Sequence, residues 1–333
     1  MPRLHPVAEP LRRTLRSHLL GAMTRSGGVL PAHVLGLGLR TAAALVRRGG
    51  LGDRARDNLR IAFGQDLSHD EREAILRASF SHSARVFQEW MRLARGAPPS
   101  GPRSHKGLWI ERAVAVDDSI EHLERVMSEG RGAILVSAHL GNWELGPARL
   151  RRLGFEGQAV GLERKRDSSS KWITRMRRSY GLESLAQDSH PRRLLEVLQR
   201  GEILGLVCDL EVRRLAGVHV PFFDRPALTM SAPAALARAH KTPLIPMRCV
   251  ARGTGYALLF EEPLVLDPHA PRSEATMDLL QRMNGVFENW IRQDPEQWAW
   301  HQHRWRTPPE QGPTAPLASR GLASDALSGP PKA

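Results

Sequence analysis

The apolar run Ile134-Leu-Val-Ser-Ala-His139 ends on a histidine, and a carboxylate follows five residues later at Glu144. Neutral imidazole takes a proton from a hydroxyl near pH 7. A carboxylate on its other ring nitrogen fixes the tautomer and stabilises the imidazolium that forms. Such a pair is a general base for a hydroxyl nucleophile that the substrate itself brings. The same residues also read as a buried histidine satisfied by a backbone carbonyl, beside a surface glutamate favoured by a helix N-terminus.

Other chemistry-bearing residues fall just after neighbouring apolar runs. Arg164, Lys165 and Arg166 close the stretch 161–166, where clustered cations either hold a phosphate or oxyanion or form a solvated basic loop. Asp209 and Glu211 follow the next strong apolar run and bring carboxylates to the same rim, to orient the arginines or to close the site. Phe222 and Phe223 make an apolar edge that either faces an acyl chain or belongs to the core. His301 and His303 are spaced for a metal, but no third ligand stands near them in the sequence, and no metal site is expected.

These residues need particular elements to carry them. Five positions along one helix rotate by roughly 140° net, so His139 and Glu144 can meet only across a strand-to-helix turn. The pattern supplies one. Residues 133–138 read as a buried strand, Gly141-Asn142 as turn and N-cap chemistry, and 143–153 as a helix stopped by Gly154. Asn142, in that turn, counts among the candidate substrate contacts. His139 then sits at the carboxyl end of its strand, where open α/β sheets hold their sites.

Upstream, Ser68-His-Asp-Glu71 is a capping box opening a helix whose Leu76, Phe80, Ala84, Phe87 and Met91 recur at helical spacing. A second helix begins near Ser119 and stops at Gly130. Downstream, strands at 158–162, 184–186, 203–208, 218–223, 244–250 and 256–260 alternate with helices at 170–180, 191–200, 231–240 and 273–292. The alternation predicts an α/β fold, a mixed and largely parallel sheet flanked by helices.

Composition narrows the partners. The chain has 333 residues, 41% hydrophobic and 25% charged, with a formal net charge of +13. Most of the cations are arginine, whose guanidinium fork suits phosphate and carboxylate. An anionic membrane surface and an acidic carrier protein both fit. Zinc-finger spacing, a basic zipper and an aromatic RNA-binding signature are all missing, so nucleic acid is not expected as a partner. Cys208 and Cys249 each lie in an apolar run, which points to buried thiols and a reducing compartment.

Three regions separate along the chain: a basic helical membrane-association segment over 1–52, a mixed α/β domain over 53–306, and a tail over 307–333 whose Pro, Gly, Ala and Ser content predicts disorder. The apolar stretch 27–46 carries His33 and Arg40. An arginine at the bilayer centre costs about 2.5–3.5 kcal/mol, so this stretch reads as a helix on or shallowly in the membrane surface, or as a hairpin packed on the domain. The segment 295–306 interleaves Trp298, Trp300 and Trp305 with His301, His303, Arg304 and Arg306. It suits a membrane interface, and equally stacking on single-stranded nucleic acid.

An ordered set of motifs runs from Arg56-Asp-Asn-Leu-Arg-Ile-Ala-Phe63, through Gly130 to Glu144 and Val220-Pro-Phe-Phe-Asp-Arg-Pro226, to Leu244-Ile-Pro-Met247 and Pro295 to Arg306. In order and spacing it resembles the lysophospholipid acyltransferase superfamily, in its branch of lipid A biosynthesis lauroyl and myristoyl acyltransferases. The resemblance implies a glycerolipid acyltransferase-like fold. It also implies transfer of a fatty acyl group from acyl carrier protein or coenzyme A to a hydroxyl of a phosphorylated glycolipid, at the cytoplasmic face of the inner membrane. His139 would be the base and Glu144 its orienter. Arg164 would face the acceptor phosphate or the thioester oxyanion, with Asp209 and Glu211 matching an acidic loop approximately. No metal or organic cofactor is implied. The chain has no G-x-S-x-G nucleophile elbow, which agrees with base-assisted direct attack on a thioester.

Overall fold

The computed structural model describes residues 32–95, 108–161 and 168–309. Arg164, Lys165 and Arg166, the start of the basic N-terminal segment and nearly all of the tail lie outside the described residues. Two helices open the description, α1 (Ala32–Arg47) and α2 (Gly50–Phe63), followed by the long α3 (His69–Ala94). The capping box at its start is present, with Ser68 and Glu71 each satisfying the other's backbone. A short α4 (Leu108–Ala113) leads into β1 (Val114–Val116), and α5 (Glu121–Ser128) precedes β2 (Ala133–Ser137).

Strands and helices then alternate: α6 (Leu145–Leu153), β3 (Gly157–Gly161), α7 (Ser168–Ser179), β4 (Glu183–Ala186), α8 (Pro191–Gln199) and β5 (Ile203–Val207). A hairpin of β6 (Gly217–Phe222) and β7 (Arg225–Met230) interrupts the pattern before α9 (Ala232–His240), β8 (Leu244–Arg252), β9 (Gly255–Phe260) and α10 (Arg272–Gln293).

Seven strands form one sheet in the order β1-β9-β8-β2-β5-β3-β4. Pairing is parallel throughout except between β8 and β9. This is the expected mixed, largely parallel sheet. β2 and β5 lie at its centre, and helices cover both faces, so their sequences Ala-Ile-Leu-Val-Ser and Ile-Leu-Gly-Leu-Val read as near-continuous apolar runs. Successive side chains point to opposite faces. Ile134, Val136 and Ala138 join one core with Phe222, Phe287 and Trp290, while Ala133 and Leu135 join another with Leu145, Ala148 and Met176.

Three short elements escape the pattern of the sequence. β1 and α4 are too brief to show a period. β7 carries Pro226, which argues against a strand by itself, but its one partner β6 leaves it an edge on which proline is tolerated. The two-residue hairpin turn uses Phe223 and Asp224, both at positive φ, 52° and 55°, as a primed turn requires.

Among the described residues, no helix is long and apolar enough to cross a membrane. α1 packs mainly on α3, burying Leu39 and leaving Val34, Leu37, Leu45 and Val46 exposed. It is a surface helix with an apolar ridge turned outward.

The turn after β2 is pinned from two sides. The Asn142 amide donates to the Cys249 carbonyl on β8 at 2.7 Å, the Gly141 amide to the Gln297 carbonyl at 3.0 Å, and the Ala299 amide to the His139 carbonyl at 3.0 Å. Gly141 has φ +62°, and a Cβ placed on it would stand 2.1 Å from the Cys249 carbonyl oxygen. Only glycine fits there. Gly141→Ala is therefore expected to lose about 2 kcal/mol or more of stability, read as a lowered midpoint in thermal or urea unfolding.

Candidate active site

β2 and β5 are adjacent, parallel and in register, with Ser137 opposite Val207. Two residues on, the same register brings His139 and Asp209 together at the carboxyl edge of the sheet. His139 Nδ1 lies 2.7 Å from Asp209 Oδ1, and the His139 backbone amide donates to Asp209 Oδ2 at 2.9 Å. The Trp298 indole Nε1 also donates to Oδ2, at 2.7 Å. A carboxylate can only accept, so Nδ1 carries the proton and Nε2 keeps its lone pair. The imidazole side chain is 23% exposed and the aspartate is fully buried. Burial alone would raise the carboxyl pKa, but the histidine charge and the hydrogen bonds from His139 and Trp298 prevail and hold it below the usual aspartate value.

Glu144 is not the orienter that the spacing and the resemblance suggest. Its carboxylate is buried and bonded to Arg177, Nε to Oε2 at 3.0 Å and Nη2 to Oε1 at 2.7 Å, and it accepts from the Tyr180 hydroxyl at 2.9 Å. The physical reason lies in where the two residues sit. His139 continues the strand line toward β5, whereas Glu144 stands at the N-terminal boundary of α6, where its side chain caps no amide, and faces α7. Burial would lower the Arg177 pKa, but the Glu144 charge more than offsets it and the guanidinium stays firmly protonated. Burial and the same carboxylate push the Tyr180 phenol well up, so it remains a neutral donor.

Asn142 is fully buried, so its placement among substrate contacts is corrected as well. Its amide donates to Glu89 at 2.7 Å, and its carbonyl accepts from the Trp90 indole at 2.9 Å and the Leu145 amide at 3.3 Å. It ties α3 to the start of α6. Phe222 and Phe223 are buried as well, at 0% and 2% exposure. They pack on Trp298, Trp305 and Phe63 and belong to the core. Glu211 accepts from the amides of Arg306 and Thr307 and from the Thr307 hydroxyl, fastening the end of the fold.

The indole-cation segment turns part of its residues inward and leaves Arg306 exposed. Trp298, Trp300 and Arg304 are buried. Asn58 on α2 donates to the carbonyls of Trp300 and Gln302 at 2.7 and 2.8 Å, and Arg304 donates to the Leu228 carbonyl and the Thr229 hydroxyl, both at 2.9 Å. The Trp298 indole is the functional contact that sequence reasoning missed. The only available signal was the run of tryptophans itself.

Trp143 stands edge-on to His139, with ring centroids 4.9 Å apart. It also lines a largely apolar cavity, partly open to solvent, between the sheet face of β2, β5 and β3 and helix α6. His301 lies against Phe80. Burial, then the charges of His139 and Arg54, lower its pKa from 6.5 to about 4.

An imidazole held in this way can take a proton from a hydroxyl. A sequence model described as bacterial lipid A biosynthesis acyltransferase matches residues 10–307. The chain is 28% identical to the lipid A biosynthesis lauroyltransferase of Escherichia coli K12 over 62% of its length and 67% of that protein. It is 29% identical to the phosphatidylinositol mannoside acyltransferase of Mycolicibacterium smegmatis over 68% and 70%. It is 23% identical to the E. coli K12 lipid A biosynthesis palmitoleoyltransferase over 77% and 78%.

Two outcomes follow from the buried charges. Glu144→Ala strands the Arg177 guanidinium and is expected to cost about 3–5 kcal/mol in denaturant unfolding. His301, whose folded pKa of about 4 lies below its ordinary 6.5, resists a proton that the unfolded chain accepts. Stability is therefore full above about pH 6.5 and declines as pH falls toward about 4. His301→Gln should flatten that part of a plot of unfolding midpoint against pH.

Proposed function

The chain belongs to the bacterial lipid A biosynthesis acyltransferase family and is an acyltransferase; from that premise we propose that His139 and Asp209 move a fatty acyl group from an acyl thioester to a hydroxyl of a lipid A precursor. The observation that carries this reading is the Nδ1–Asp209 hydrogen bond of 2.7 Å, which leaves Nε2 as the free base. Nε2 takes the acceptor hydroxyl proton as the oxygen attacks the thioester carbonyl. Asp209 stabilises the imidazolium, the tetrahedral intermediate expels the thiolate, and the imidazolium returns the proton to sulfur. The products are an ester and a free thiol.

The thioester is carried by acyl carrier protein or coenzyme A, both anionic and so matched to a chain of net charge +13. Arg164, Lys165 and Arg166 meet the acceptor phosphate or the developing oxyanion. The enzyme works peripherally at the cytoplasmic face of the inner membrane, with the exposed ridge of Val34, Leu37, Leu45 and Val46 in the lipid interface and nearby arginines on anionic headgroups. The likeness to the M. smegmatis protein favours a second acceptor, a mannosylated inositol lipid.

Purified protein supplied with acyl carrier protein or coenzyme A thioesters, and with each acceptor separately, tests this reading. His139→Ala is expected to lower the transfer rate by about 10²–10⁴-fold, and Asp209→Asn to lower it by a comparable factor while the protein stays folded. Transfer undiminished in His139→Ala removes the mechanism.

A further inference from the structure

Gly205 occupies the middle of β5, a strand bounded by neighbours on both sides. It is flanked in register by Leu135 on β2 and Ala159 on β3. Yet it is not fully buried, whereas Leu204 and Leu206 beside it are. The reason is the cavity, which Gly205 lines together with Leu135, Ala159, Ile203 and Val207.

Nothing in the backbone demands glycine at this position. A Cβ built there approaches no atom closer than 3.8 Å, whereas one on Gly157, in the same cavity wall, would meet the Ile203 carbonyl oxygen at 2.5 Å. A glycine inside a strand weakens it and often marks a place where something else approaches closely. Here the space that a side chain would fill is left open.

Trp143 stands between the cavity and the reacting centre. Trp143 touches the His139 ring with one edge and lines the cavity, and Ser137 and Val207, two residues below the His139–Asp209 level, belong to its wall. From Asp209 down to Gly205 is four residues of strand, about 13 Å at the usual rise. Below Gly205 the lining continues through Ile203, Phe155 and Gly157 to the Arg151–Glu156 ion pair. The charged residues of the lining are paired, Glu144 with Arg177 and Arg151 with Glu156. A largely apolar cavity with Trp143 at its wall next to the base, lined by three parallel strands, suits a hydrocarbon tail.

We propose that Gly205 is a specificity-determining residue: the side chain it lacks sets how far the donor's acyl tail reaches, and so how long a tail the enzyme transfers. This rests on the acyltransferase reading above. Each methylene denied burial loses about fourfold in binding. A side chain at position 205 therefore blocks the lower cavity and penalises long tails while sparing short ones.

The test uses the full-length protein with a series of saturated acyl-coenzyme A thioesters of increasing length, and a parallel series of free fatty acids titrated against tryptophan fluorescence. Gly205→Leu should move the preferred length down by at least one two-carbon step, with Gly205→Ala between it and the parent protein. Should Gly205→Leu fail to fold by circular dichroism, the alanine variant carries the comparison. A length profile unchanged in shape, or a loss equal at every length, overturns the proposal. If the parent protein transfers no acyl group but binds fatty acids with a length limit that shifts in the variants, the acyltransferase reading fails and the gauge stands.

Discussion

Asp209 is a charge with no exposure to water, and the site stands because each of its oxygens is occupied. One accepts from the imidazole, the other from the His139 amide and the Trp298 indole. A buried carboxylate without such partners would take up a proton and cease to orient anything. The register of β2 against β5 supplies the first two donors. The third comes from a segment ninety residues downstream, held by α2 through Asn58 and by the β6–β7 hairpin through Arg304. Helices and hairpin far from the reacting atoms therefore converge on one carboxylate.

Much of this was legible in the amino-acid sequence. The apolar runs of β2 and β5, the capping box before α3 and the glycine stops gave the alternating order, and the position of His139 at a strand end followed from it. The partner of His139 did not follow. Pairing between parallel strands is nonlocal, and nothing along the chain says that the run ending at Asp209 lies next to the run ending at His139 rather than two strands away. Glu144 was the nearer carboxylate in sequence, but a helix that starts at Leu145 turns it toward Arg177 on another helix. The tryptophans near residue 300 look like surface residues because they alternate with cations. The bend of the chain there hides the indoles, and Arg304 with them.

The two carboxylates illustrate separate uses of burial. Asp209 lies beneath a partly exposed imidazole and holds that ring in one orientation. Glu144 is matched by a bidentate guanidinium and a phenol, and it ties the start of α6 to α7 in the wall of the cavity. Such an internal pair adds little net stability over an apolar substitute, yet is costly to break. It restricts the packing of α6 to one arrangement, and that arrangement keeps Trp143 edge-on to the base.

The pinning of the 139–142 turn by residues 297 and 299 also bears on biosynthesis. A nascent polypeptide emerging from the ribosome holds both central strands long before it holds the indole that completes the aspartate's coordination. Until that last stretch is synthesised and docks, the imidazole has an incompletely held partner. The His139–Asp209 pair is thus fully held only once the fold is complete, and half-made chains carry a site whose base is not yet set.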